Sequence, residues 1–441
     1  MKDHARYTYI CTNAFVLLVF SFFLLFTGFH GYLFIQQSKY WCFLLLFGGY
    51  LALLFLFFAE TALLGWCKLP SPVTLWKKLS FTQRMAVLYL LLSFLSTLVS
   101  PYGREAWVGM SRHEGFLTQL LYVGCFLFVS SHGRSHDRMW KVLAAAMLLF
   151  CGLSFLQFAG LNPLGLYPDD FRYGDANTRY LGIYLGTIGN ADLVAALLCM
   201  VIPIFALQTL HLRPNHAWPE AAALIACLVV LFWMKVSAGF VGLTLGLLLS
   251  IPVLSPGKRI PKRLQWVAVL SILVLGLVLV YALPVKGTLY ELQQLLHGNI
   301  SDRFGSGRIG IWRQVLAEIP KRPIFGTGPD TMLAKDFAGA SHMIDGEIVT
   351  ITIDAAHNEY LNIAYHQGIP AAMVYLIFLG SLLWKWAKQP RKSSHAALLG
   401  CAVLCYCIQA FFSISMCMTA GIFWILLGLL ERNFKREEER T

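Results

Sequence analysis

The sequence predicts an all-α polytopic membrane protein with about twelve transmembrane helices, ten to twelve being the range, and one large, partly helical extracytoplasmic loop. Three observations predict it. Hydrophobic residues make up 57% of the 441 and charged residues 13%, and the mean hydropathy is +0.63, which is wrong for an ordinary water-soluble domain. Apolar runs long enough to cross a bilayer, roughly 20 residues each, recur along most of the chain. Lysine and arginine gather in alternate loops, as they do on the cytoplasmic side of a membrane protein.

The apolar runs fall at residues 11–35, 41–65, 84–100, 115–130, 138–160, 186–210, 217–234, 237–254, 264–283, 357–384, 395–414 and 417–431. The third, fourth and last are short, and the break from Lys235 to Gly239 reads either as a turn between two spans or as a kink within one. With both ends inside, the cytoplasmic side collects Lys2 and Arg6, then Lys68, Lys77, Lys78 and Arg84, then Arg134, Arg138 and Lys141, then Arg213. It continues with Lys258, Arg259, Lys262, Arg263, Lys385, Lys388, Arg391, Lys392 and four more after Glu431, in all 22 of the 35 basic residues. This divides the chain into an N-terminal bundle over 1–283, an extracytoplasmic loop over 284–356, C-terminal helices over 357–431 and a cytoplasmic tail over 432–441.

The net charge of +12 follows from these inward-facing loops, so it gives no reason to expect a nucleic acid partner. The first apolar run is too long for the core of a cleavable signal and reads as a membrane anchor. Nearly all of the eleven cysteines sit in or beside apolar runs, which argues against a disulfide framework. Cys401, Cys405 and Cys407 read as small apolar helix residues and not as metal ligands.

The unusual polar chemistry lies on the outer side of this topology, where the inner loops are short and plain. One outer stretch is "SPYGREAWVGMSRHEG" with Arg112, and another runs from Leu161 to Asn190. The loop over 284–356 is too long to be a passive connection. Within it Ile309, Trp312, Leu316 and Ile319 recur at helical spacing, which predicts a short amphipathic helix lying on the membrane or on the bundle and stopped by Pro320 and Pro323. Arg303, Arg308 and Arg313 cluster around its start, where no inside-positive bias requires them, and point to an anion. The turn Gly326 to Gly328 lets backbone approach something closely.

The stretch "DAAHNEYLNIAYHQGIPA" places titratable residues at the start of an apolar run. Asp354 is expected to cap the helix, with His357 in its first turn, where the partial positive charge of the helix end favours neutral imidazole and attracts phosphate. On a continuous helix Gly368 and Ala371 would lie nearly beneath His357 and form a smooth stripe for a packed neighbour. His366 falls on the opposite face and reads as a polar packing residue. Spacing alone leaves two readings of His357 open, a catalytic base or an interfacial residue satisfied by a neighbouring carbonyl. Glu359 is equally open, since its charge could simply face water.

These residues resemble the O-antigen ligase and polymerase superfamily, bacterial membrane glycosyltransferases that use polyprenyl diphosphate-linked sugars. That family's pattern of His, a small polar residue, nine residues and Gly-x-x-Gly is similar to His357, Asn358, Gly368 and Ala371, with alanine replacing the last glycine. "SGRIGIWRQVLAEIPKRPIFGTGPDTM" resembles its Ser-Gly-Arg, Trp, Pro, Gly-x-Gly-Pro block, and "GTIGNADLVA" resembles Gly-Asn-Pro-Asn at Asn190, with Ala191 and Asp192 in place of the last two. Where the family has an arginine after Ser or Thr, this chain has Ser237, with Lys235 two residues earlier as the nearest cation. The resemblance runs from about Arg179 to Gly368.

The resemblance implies an inverting transfer without metal or other cofactor, from an undecaprenyl diphosphate-linked glycan to an acceptor hydroxyl, at the outer face of the bacterial cytoplasmic membrane. It implies diphosphate binding by Arg308, with Arg303, Arg112 and Lys235 as further candidates, and catalysis by His357. Asn358, Asp354, Glu359, Gly368 and Asn190 would support them. Membrane lipids and a glycan, lipid or protein acceptor are the implied partners. Ligase, repeat-unit polymerase and transfer to protein or teichoic acid share this chemistry. A lipid-linked glycan transporter is the alternative from another class, and the lack of a clear internal repeat weighs against it.

Overall fold

The computed structural model describes residues 2–63, 71–168, 172–173, 178–179, 185–211, 217–255, 260–335, 337, 341–344, 347–350, 352–389 and 393–438. Lys68, Arg213, Lys258, Arg259, Arg391, Lys392, Arg440 and much of the 161–190 stretch lie outside the described residues. The helices are α1 (Lys2–Leu18), α2 (Ile35–Leu63), α3 (Pro72–Lys78), α4 (Phe81–Leu98), α5 (Arg104–Val108), α6 (Phe116–His132), α7 (Asp137–Phe158), α8 (Ala191–His211) and α9 (Trp218–Met234). There follow α10 (Ser237–Leu254), α11 (Lys262–Ala282), α12 (Thr288–Leu296), α13 (Arg308–Glu318), α14 (Glu359–Gln367), α15 (Ile369–Lys388), α16 (Ser394–Gln409) and α17 (Cys417–Glu438). Two small antiparallel pairs, Arg172–Tyr173 with Thr178–Arg179 and Ser341–Ile344 with Glu347–Thr350, sit in the loops. Among the described residues ten helices are long and apolar enough to cross a membrane, and α6 and α9 are shorter apolar helices. The chain is a polytopic membrane protein whose candidate spans are all α-helical, as its composition predicts.

Several boundaries differ from those expected, each for a local reason. The run at 11–35 is not one span: α1 continues through a π-helical turn to Phe23, and the chain bends at Gly28 and Gly31, both at positive φ. The carbonyls left over at that helix end accept from the buried Lys39 Nζ, at 2.5 Å from Phe23 O and 2.9 Å from Leu24 O, and from Thr187 Oγ1, at 2.6 Å from Leu24 O. Backbone groups cannot be left unpaired in lipid, so a buried lysine is tolerated there as a cap. Lys235 takes a left-handed conformation (φ 55) and ends α9, so its break is a true turn between helices. The last helix runs on to Glu438, because its polar end packs back on the bundle: buried Glu431 holds Lys385 Nζ at 3.0 Å through both oxygens.

The largest correction concerns 357–384. It is not one helix but two, broken at Gly368 (φ 90), so the stripe of small residues beneath His357 does not form. A β-carbon at Gly368 would lie 2.1 Å from Ile324 O, and one at Gly326 2.5 Å from His366 O. The glycine turn therefore approaches the end of α14, where Thr327 and Gly328 N–H donate to Tyr365 O (3.2 Å) and His366 O (2.8 Å). Gly368→Ala is expected to cost about 3 kcal/mol or more through strain and collision. Thermal unfolding in detergent checks this, and a Tm unchanged from wild type would contradict it.

Helices attract one another in lipid chiefly by close packing. Helices α8 and α17 lie at the centre, and α10 presses on α16 where a β-carbon at Gly246 would meet Cys405 Cα at 2.7 Å. Helix α11 stands at the periphery, with only 6% of its span buried. The expected helix in the long loop is α13, but its packed face is turned from that expected. Val315 and Ile319 are buried with Met332, Ile353, Ala356 and Tyr365, whereas Leu316 is exposed, because α14 docks on the Val315 side.

Candidate functional site

The site is assembled around the short segment before α14. Asn358, and not Asp354, is the N-cap: its Oδ1 accepts from Tyr360 and Leu361 N–H, each at 3.1 Å. His357 therefore precedes the helix in a left-handed conformation (φ 48) instead of occupying its first turn. Its neighbour Ala356 is held on both sides. The Ala356 N–H donates to Asn362 Oδ1 at 3.1 Å, and Trp312 Nε1 of α13 donates to Ala356 O at 2.9 Å. Strain at one non-glycine residue persists only where the surroundings hold it, and these contacts do so.

His357 faces Asp192, with Nδ1 3.6 Å from Oδ2. Arg308, the first residue of α13, reaches the same oxygen, Nη2 lying 2.8 Å from Asp192 Oδ2, while its Nη1 donates to Gly305 O at 3.2 Å. Asp192 is in the first turn of α8, whose start is capped by Asn190, Oδ1 accepting from Leu193 N–H at 3.2 Å. From α16, Gln409 Nε2 donates to Asp192 O at 3.3 Å. Three helix starts and one helix end thus meet at Asp192, its carboxylate facing His357 and Arg308 and its main-chain carbonyl facing Gln409. His357 Nδ1 and Arg308 Nε are both buried without a hydrogen-bond partner among the described residues, an arrangement suited to an incoming polar ligand. The side chains stay partly open, 30% exposed for His357 and 18% for Arg308.

Arg112 forms a second cluster, its fork closed on Asp354, with Nε–Oδ2 2.9 Å and Nη2–Oδ1 2.6 Å. Its own loop is organised by Asp330, which accepts from the N–H groups of Arg112 (2.8 Å) and Glu114 (3.2 Å) and from Ser111 Oγ (3.2 Å). Burial pushes the Asp330 carboxyl above its ordinary range despite these donors. For Asp354 burial acts in the same direction, but Arg112 overrides it and holds the carboxyl below its usual value. A depressed folded-state pKa stabilises above the unfolded value, about 4, and the contribution disappears as pH falls through the folded one. Asp354→Ala is expected to cost about 3 kcal/mol near neutrality, because it strands a partly buried arginine. In detergent melts its Tm deficit should shrink as pH falls below about 4; a deficit constant with pH would contradict the pairing.

The remaining candidates are placed as follows. Glu359 does not face water: it is buried, accepting from Tyr375 OH at 2.5 Å and Tyr406 OH at 3.0 Å, which locks α14 to α15 and α16. His366 is buried with Nδ1 between Gly328 O (3.0 Å) and Thr331 N (3.3 Å). Arg303 and Lys235 are exposed and make no ion pair among the described residues, and Arg313 pairs with Asp302 at 2.9 Å in an exposed position. The expected three-arginine cluster thus reduces to Arg308 at the carboxylate. Beside Arg112 and Asp354 a partly open pocket of about 50 Å³, lined also by Glu114, Tyr122, Glu359 and Gln367, is too small for a sugar. Asp330 and Glu114 escape sequence reasoning, and Asp192 is named there only as a departure within the "GTIGNADLVA" segment, not as a site residue.

Residues 222–376, about a third of the chain, match the family model described as O-antigen ligase. The match takes in Lys235, Arg303, Arg308, Asp354, His357, Asn358, Glu359 and Gly368, and leaves out Arg112, Asn190 and Asp192. No curated protein matches the chain.

Proposed function

From a chain that belongs, through residues 222–376, to the O-antigen ligase and polymerase superfamily, we propose a membrane glycosyltransferase. It transfers a glycan from an undecaprenyl diphosphate donor to an acceptor hydroxyl, with inversion and without metal, at the outer face of the bacterial cytoplasmic membrane. The observation that carries this reading is the meeting of His357 and Arg308 on Asp192, an imidazole and a guanidinium within reach of one ligand. The acceptor oxygen bonds to the anomeric carbon as the bond from that carbon to the diphosphate oxygen breaks. The electron pair leaves with the diphosphate, where Arg308 meets the developing charge. His357 accepts the hydroxyl proton at Nε2, on the far side of the ring from Asp192.

Cation placement supports the outer face, because the loops on the opposite side carry most lysine and arginine. The acceptor, whether lipid A core, growing polymer, protein or teichoic acid, is chosen by surfaces around this common chemistry. Reconstitution in vesicles with a polyprenyl diphosphate-linked oligosaccharide tests the reaction class. Release of polyprenyl diphosphate in step with a product of inverted anomeric configuration is expected, and intact donor carried across the bilayer without bond cleavage would contradict it. The glycans of a deletion strain separate the acceptors: unattached long lipid-linked chains identify a ligase, single repeat units a polymerase.

A further inference from the structure

Resting on the diphosphate-donor reading, we propose that Asp192 is a shared positioning residue: it holds Arg308 in the empty enzyme and transfers to His357 when the donor diphosphate takes Arg308.

The geometry has two unequal halves. Asp192 Oδ2 is hydrogen-bonded to Arg308 Nη2 at 2.8 Å, whereas His357 Nδ1 lies 3.6 Å from the same oxygen, outside hydrogen-bond range, and has no other partner among the described residues. Arg308 draws this oxygen to itself and leaves His357 just short of contact with it. A diphosphate carries more negative charge than a carboxylate and can accept from both edges of the guanidinium, including the unpartnered Arg308 Nε. Once Arg308 turns to it, Asp192 needs to move only a few tenths of an ångström to accept from His357 Nδ1–H at an ordinary distance. That bond fixes the tautomer with the lone pair on Nε2 and stabilises the imidazolium formed when the acceptor proton arrives. Asp192 stays ionised throughout, and the proton remains on His357 until product release returns it to water.

The consequence is an ordered device in which the base is aligned only after the donor is seated.

Asp192→Asn tests this, being isosteric and able to accept from Arg308 still. In nanodiscs the variant is expected to bind polyprenyl diphosphate about 10-fold more tightly than wild type, since Arg308 is no longer held by a charge. Its kcat is expected to fall about 100-fold or more. Asp192→Glu, which keeps the charge, should recover part of kcat while binding the probe no more tightly than wild type. A merely structural role would weaken binding and turnover together. Weaker binding by Asp192→Asn, or a kcat within about threefold of wild type, overturns the proposal. If Asp192→Asn does not fold, a Glu variant that binds and turns over like Asp192→Ala overturns it instead. Failure of wild type itself to bind polyprenyl diphosphate would sink the donor reading, and this inference with it, and is told apart because it involves no variant.

Discussion

Replacing His357 with alanine is expected to lower transfer by about 1000-fold while leaving expression, membrane insertion and donor binding near wild type. The magnitude follows from the role: a positioned base contributes about 10²- to 10⁴-fold, or roughly 3–5 kcal/mol of barrier. Binding should survive because His357 sits outside α14, whose cap is Asn358 and whose preceding residue is held by Trp312 and Asn362. The backbone at His357 is left-handed, so any non-glycine substitute retains the same strain and the comparison isolates the imidazole. Turnover of a lipid-linked donor measured on purified protein checks this. Near-normal turnover by the alanine variant would remove His357 from the chemistry.

Arg308→Ala is expected to reduce turnover by about 10²- to 10³-fold, with a raised donor KM, and Arg308→Lys to recover about a tenth of wild-type activity. Two effects add in the alanine variant. The diphosphate loses its bidentate partner, and Asp192 is left as an uncompensated carboxylate facing an anion. Lysine removes the second effect but supplies only a point charge in place of a planar fork. Equal activity of the two variants would contradict a bidentate contact with the donor. Arg303→Ala, at an exposed residue without an ion pair among the described residues, provides the contrast: its loss should be at most a few-fold and should diminish with salt.

The helices were legible in the sequence because lipid imposes one rule, that some 20 apolar residues pair their own backbone. Where that rule is suspended the reading missed. The bend after Phe23 depends on Lys39, and the break at Gly368 on Ile324, partners separated by more than ten residues and invisible to a window of hydropathy. His357 and Arg308 stand out in the sequence through residue type and motif spacing. Their convergence on Asp192 does not, since α8 is joined to them only by tertiary packing. Asp354 shows the same limit: a carboxylate just before a helix suggests a cap, yet Arg112 takes it because a charged fork outcompetes backbone N–H groups that Asn358 can satisfy.

The most direct measurement is a structure of the protein in a lipid nanodisc with polyprenyl diphosphate bound. Diphosphate oxygens about 3 Å from the Arg308 guanidinium, with the terminal phosphate that carries the sugar in the donor directed to the His357 side, are the predicted result. Diphosphate seated at the opposite end of the bundle, or bound with Arg308 still paired to Asp192 and out of contact, would contradict it.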